Sequence, residues 1–168
     1  IQQKNAKTCL QTIEVLNKTG WKIDKVSIKN GLKNVIKNTK LLGRFQLISK
    51  NPFIVLDTAH NLNGIESLIK EIETYSFQKL QVVIGMADDK NHENMLQLFP
   101  ENTQFYFCSS SNERILKGKE LKKIASKIGI TGKSYKSVSK GLEKAKNESN
   151  KNNFIVITGS NFIVADIL

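Results

Sequence analysis

The chain has 168 residues, 39% of them hydrophobic and 24% charged, the proportions of an ordinary globular protein with room for one domain and an appendage. No apolar run approaches the ~20 residues that cross a bilayer as a helix, so membrane insertion is set aside. The net charge of +11 raises a nucleic-acid reading, but the excess is nearly all Lys scattered among Asn, with no interleaved aromatics and no finger or RNP-type pattern, so the lysines read as solvated faces. In chain order, Ile1 and the polar residues after it are neither an initiator Met nor a secretion signal, and the chain is expected to start inside a longer protein. The widely separated Cys9 and Cys108 read as two lone thiols in a reducing, cytoplasmic setting.

Lys4 to Lys18 carries Ala6, Cys9, Leu10, Ile13 and Leu16 mostly three and four apart, which predicts an amphipathic helix closed by Gly20. Asp24 starts a second helix with Val26, Ile28, Leu32, Val35 and Ile36 as its apolar positions, and Trp21 is expected to pack these two helices together. The pair reads as the tail of a preceding domain, residues 1–42. From Gly43 onward short apolar runs alternate with helical stretches. Strands are predicted at Phe45 to Ser49, Phe53 to Leu56, Leu80 to Ile84, Gln104 to Cys108, Ser134 to Tyr135 and Phe154 to Thr158. Helices are predicted at Leu62 to Tyr75, Asn91 to Phe99, Lys119 to Ile128 and Ser139 to Ser149. Continuous apolar strands between helices imply a doubly wound, mostly parallel α/β sheet covered on both faces, over residues 43–168.

Ligands of such sheets gather at the carboxyl ends of the strands. Three segments there are polar: Asp57-Thr58-Ala59-His60-Asn61, Gly85-Met86-Ala87-Asp88-Asp89-Lys90 and Gly159-Ser160-Asn161-Phe162. A strand-end Asp suits a ribose hydroxyl, and a following His and Asn suit a carboxylate, amine or phosphate; Asp57 and Asn61 equally suit capping of the next helix. Gly159-Ser160 suits an anion or a plain turn. Gly132-Lys133-Ser134 resembles the end of a phosphate loop, but the required first glycine falls on Lys127, and a helix rather than a strand precedes it. His60 and His92 are too few for a protein-only zinc site, and His92 reads as part of an exposed first helical turn.

Gly43-Arg44-Phe45-Gln46, then Asn51-Pro52-Phe53-Ile54-Val55-Leu56-Asp57-Thr58-Ala59-His60-Asn61 with Gly64, resembles the opening of the carboxy-terminal domain of folylpolyglutamate synthase/dihydrofolate synthase, in the Mur ligase superfamily. Val83-Ile84-Gly85-Met86 with Asp89-Lys90, and Thr158-Gly159-Ser160-Asn161-Phe162, are similar to later segments of that domain. Gln3-Lys4-Asn5-Ala6 is similar to a helix opening late in the family's central ATP-binding domain. Thr58 stands where relatives often have Gly, Leu62 where Pro is common, and Asn91 where an acid often follows Asp-Lys, which leaves loop details open.

The resemblance implies an ATP-dependent, ADP-forming amide ligase that adds L-glutamate to dihydropteroate or to folates through an acyl phosphate. It implies that Asn5 contacts the adenine, Arg44 the ATP phosphates and Asp57 the ribose. It places His60 and Ser160 near the incoming glutamate and Lys90 in the same cleft, with His60 and Lys90 as the catalytic candidates. ATP and Mg²⁺ are the implied cofactors, with no metal ligand expected from this chain and the phosphate loop expected in a preceding ATP-binding domain. The intact enzyme is expected to be a cytoplasmic monomer without nucleic-acid or membrane partners, and this segment alone to be inactive. A ligase building a peptidoglycan precursor, and a noncatalytic module binding an anion or a protein, are the rival readings.

Overall fold

The computed structural model describes residues 2–168, which separate into two compact units, 1–42 and 43–168. The first unit contains α1 (Gln2–Lys18), α2 (Lys25–Lys33) and α3 (Val35–Thr39). Asp24 caps α2 by accepting from the Ser27 amide at 2.8 Å, and this bond, with one from the Ser27 hydroxyl, holds its carboxyl below the usual range. The two helices expected here are corrected to three. Asn34 leaves helical geometry (φ −110°, ψ 25°) while its side-chain amide donates to the Asn30 carbonyl at 2.9 Å, so an Asn competes with the backbone ladder and splits the second helix. Trp21 does not pack the helices together: it is 63% exposed. None of the residues of α2 or α3 is buried, and Leu10, Ile13, Ile28 and Leu32 line a groove of about 840 Å³ on this unit.

The second unit is the expected doubly wound α/β fold. Its strands are β1 (Gln46–Lys50), β2 (Phe53–Leu56), β3 (Lys79–Ile84), β4 (Gln104–Cys108), β5 (Gly132–Tyr135) and β6 (Asn153–Thr158), in the order β1-β2-β6-β3-β4-β5. Only β1 is antiparallel, folding back on β2 through the turn at Asn51 and Pro52. The helices are α4 (Leu62–Ile72), α5 (His92–Leu96), α6 (Gly118–Lys127), α7 (Val138–Asn147) and the short α8 (Asn161–Ala165).

Alternation along each strand divides the core. Val55, Val82, Ile84, Phe105, Phe107 and Val156 face one way and meet Ile65 and Leu68 of α4, Met95 and Leu96 of α5 and Leu121 of α6. Ile54, Leu56, Val83, Tyr106, Ile155 and Ile157 face the other way and meet Val138 and Leu142 of α7 and Ile163 and Val164 of α8. Burying each such aliphatic side chain contributes about 1.5–3 kcal/mol. β6, buried along its whole length, inserts between β2 and β3 and reverses the winding. The switch point therefore lies at the carboxyl ends of β2, β6 and β3.

One polar network crosses the α7 face. Gln81, fully buried on β3, donates to the Tyr106 hydroxyl at 2.8 Å and to the Ala145 carbonyl at 3.1 Å. Tyr106 Oη and Gln104 Nε2 each donate to Glu148 Oε2 at 2.7 Å, while Lys144 and Lys133 approach Glu148 Oε1 at 3.1 and 3.6 Å. The Tyr106 hydroxyl foremost, then Lys144 and Lys133, pull the Glu148 carboxyl down to about 2 against the effect of its burial. A depressed carboxylate stabilises the fold above its unfolded value of 4.5, and this contribution disappears as pH falls from there toward about 2. With the side chain a quarter exposed to screening water, Glu148→Gln is expected to cost about 1 kcal/mol at pH 7 and almost nothing near pH 2, read as urea midpoints across that range.

Candidate active site

The site grows from the turn that opens the second unit. Gly43 (φ +78°) and Phe45 (φ +46°) both take left-handed backbone angles, which for an aromatic residue costs about 1–2 kcal/mol and must be offset locally. The offset is visible in the bonds around it. The Thr58 amide donates to the Gly43 carbonyl at 2.8 Å, the Gly43 amide donates to Gln46 Oε1 at 2.8 Å, and the Phe45 amide donates to Asp57 Oδ2 at 2.8 Å. A Cβ on Gly43 would lie 2.8 Å from both Thr58 Cγ2 and Val164 Cγ1, so only glycine fits against that wall. The Phe45 ring stacks on Tyr75 with centroids 5.7 Å apart. Arg44 alone in this turn points outward, exposed and without an ion pair among the described residues.

Asp57 follows β2 and is half-buried. Its Oδ1 accepts from the Ala59 amide at 2.8 Å while Oδ2 holds Phe45. Burial pushes its carboxyl above the usual range, outweighing those two amides and the nearby Arg44 charge. Asp57 thus does not cap α4. Asn61 does, accepting from the Gly64 amide at 2.8 Å. His60 places Nδ1 2.8 Å from the Thr58 carbonyl; a carbonyl only accepts, so Nδ1 carries a proton, and in the neutral ring Nε2 is the nitrogen with the lone pair. The Thr58 hydroxyl is buried without a partner among the described residues, its methyl being what packs on Gly43.

The ends of β2 and β6 are tied together. The Gly159 amide donates to the Ala59 carbonyl at 3.0 Å, and Ser160 follows, buried, its Oγ accepting from the Phe162 amide at 3.2 Å as the cap of α8. Arg44, Asp57, His60 and Ser160 therefore share one end of the sheet. Lys90 stands beyond the carboxyl end of β3, the next strand, with Nζ 3.1 Å from its neighbour Asp89, whose carboxyl that contact holds below the usual range. Asn5 lies exposed near the start of α1, in the other unit.

Two features of this rim escaped the sequence. His92 is not in an exposed first turn: it is half-buried, and its Nε2 lies 2.9 Å from the Ala87 carbonyl, closing the loop after β3. The loop after β4 is zipped to that loop, with the Asp88 amide donating to the Arg114 carbonyl at 3.1 Å and the Leu116 amide to the Met86 carbonyl at 2.9 Å. This brings the Arg114 charge close enough to help depress Asp89. The only sequence signal for that pairing is the apolar Ile115-Leu116 inside an otherwise polar loop. Among the described residues no group of three or more His, Cys, Asp or Glu is placed to hold a metal ion.

Comparison with known proteins gives the family and the fold. The family profile "Mur ligase, glutamate ligase domain" matches residues 43–161. Dihydrofolate synthase/folylpolyglutamate synthase of Escherichia coli is 25% identical over 169 residues, covering 100% of this chain and 38% of that enzyme. A solved structure of E. coli FolC in complex with DHPP and ADP superposes with a TM-score of 0.83 at 26% identity, covering 98% of this chain and 38% of that one. Folylpolyglutamate synthase of Thermotoga maritima superposes with a TM-score of 0.67 at 32% identity, covering 95% and 36%. The chain thus spans well under half the length of the relatives it matches. With the profile covering most of its length, the chain belongs to the Mur ligase family through its glutamate ligase domain, and it is similar from end to end to the matching part of folylpolyglutamate/dihydrofolate synthases.

Proposed function

We propose that this chain is the carboxy-terminal part of an ATP-dependent ligase that forms an amide between L-glutamate and dihydropteroate, a folate, or both, releasing ADP. The observation that supports the reading is Arg44: a guanidinium without an ion pair among the described residues, on a turn bonded to the β2 end that also carries His60. The names and contents of the relatives support it, since E. coli FolC is solved with both DHPP and ADP.

ATP supplies the phosphoryl group that turns a carboxylate into an electrophile. The part of this chain is to bind and orient. Arg44 forks onto phosphate oxygens, keeping its charge at every pH. Asp57 accepts from the ribose with lone pairs its two amides leave over, and Asn5 meets the adenine. His60 and Ser160 receive the glutamate. An ammonium must lose a proton before it can attack, and the neutral His60 ring is the base assigned to take it, a role its Nδ1 bond to Thr58 supports by leaving Nε2 for the proton. Lys90 adds positive charge in the same cleft. Mg²⁺ is expected to be held by groups of the preceding ATP-binding domain.

The complete ligase that contains these residues tests this reading. Given ATP, glutamate and dihydropteroate it is expected to release ADP and form dihydrofolate, and to ignore a UDP-muramyl substrate, while residues 1–168 alone show no turnover. Turnover confined to the muramyl substrate would move the chain to the peptidoglycan ligases, and none with either would reduce it to a binding module.

A further inference from the structure

We infer that Asp57 is a positioning residue for Arg44, holding the turn that aims the guanidinium, in addition to any contact it makes with nucleotide. The inference deepens the proposed function and rests on it only for the role of Arg44. No hydrogen bond or ion pair among the described residues fixes the Arg44 side chain, which is exposed and only feels the Asp57 charge from nearby. Its direction is therefore set by its backbone. That backbone is flanked by two residues at positive φ, a conformation that relaxes unless its neighbours over-determine it.

Three bonds do so, and Asp57 supplies the only charged one. Gln46 holds the Gly43 amide and the Thr58 amide holds the Gly43 carbonyl, both on the residue before Arg44. On the residue after it, Asp57 Oδ2 takes the Phe45 amide at 2.8 Å. The same carboxylate braces itself through Oδ1 on Ala59, so it bridges two segments that are far apart in sequence. A half-buried carboxylate accepting two amides is a strong clasp, because charge-assisted bonds gain where water is excluded. Asparagine is nearly the same shape but presents an NH₂ group where one of the amides needs an acceptor, so Asp57→Asn breaks the bridge with little change of volume.

The test has two arms. In residues 1–168 without nucleotide, amide hydrogen exchange at Phe45 is expected to be slow in the wild type and about tenfold faster in Asp57→Asn, with β3 and β6 amides unchanged. Fast exchange of Phe45 in the wild type, which requires no variant to fold, would overturn the clasp. In the complete ligase, Asp57→Asn and Arg44→Ala are expected to be clearly non-additive in kcat/KM for ATP, the double variant losing about tenfold less than the product of the two single losses. Fully additive losses would mean that Asp57 acts on the nucleotide alone. Absence of turnover in the wild-type ligase would sink the proposed function and leave the exchange result to decide the clasp.

Discussion

Replacing Arg44 by Ala in the complete ligase is expected to lower kcat/KM for ATP by about 10²–10³-fold, the usual loss when one charge-stabilising donor is removed from a site where charge moves. The side chain is exposed and makes no ion pair among the described residues, so the same substitution should leave the urea midpoint of residues 43–168 within about 0.5 kcal/mol of the wild type. This pairing of a large kinetic loss with a silent stability readout is what separates a ligand-binding guanidinium from a structural one. Arg44→Lys keeps the charge but not the planar fork, and should recover about tenfold of the loss rather than all of it. A side effect has a definite sign. Arg44 lowers the Asp57 carboxyl, so its removal moves that group further upward, in the direction burial already pushes it. Steady-state kinetics with ATP varied at saturating glutamate and pterin read the main effect; near-wild-type kcat/KM in Arg44→Ala would end the phosphate assignment.

Arg44 is legible in the sequence through the family resemblance of Gly43-Arg44-Phe45-Gln46, and no such motif covers Arg114. Asp57 and His60 end a strand, where ligands of such sheets gather, whereas Arg44 precedes one and joins them only because β1 folds back antiparallel on β2. Ser160 follows the same logic at the end of β6. The zipper between Met86-Asp88 and Arg114-Leu116 joins two irregular loops through backbone atoms, which carry no residue signature. The insertion of β6 between β2 and β3 is likewise invisible to periodicity, because a fully apolar strand looks the same beside any neighbour. Helix ends shifted for local reasons. Asn34 split the second helix through a side-chain bond that apolar spacing does not register, and Trp21 stayed exposed because α2 and α3 bury nothing for it to join.

Gly159→Ala is expected to be among the most damaging single-methyl additions to residues 43–168, at about 3 kcal/mol, the sum of strain near 1–2 kcal/mol at positive φ and a similar overpacking cost. Gly159 has φ +104°, and a Cβ there would sit 2.3 Å from the Gly85 carbonyl oxygen and 2.9 Å from Ile84 Cγ1. A flexible side chain could swing away from such a contact, but a backbone oxygen at the end of β3 cannot without parting the strands. Gly129→Ala supplies the control: its φ is +79° and nothing lies within 4 Å of its Cβ position, so it should show only the conformational cost, about 1 kcal/mol. The difference between the two urea midpoints then isolates the clash. It also bears on the site, since the atoms forced apart are those that bring the Ser160 loop beside the loop leading to Lys90, and Gly159 also bonds the Ala59 carbonyl next to His60. Any Gly159→Ala protein that remains folded should therefore lose glutamate affinity more than ATP affinity, the reverse of Arg44→Ala. Equal midpoints for the two glycine variants would mean that the ends of β3 and β6 yield freely, and that the rim is less rigid than its hydrogen bonds imply.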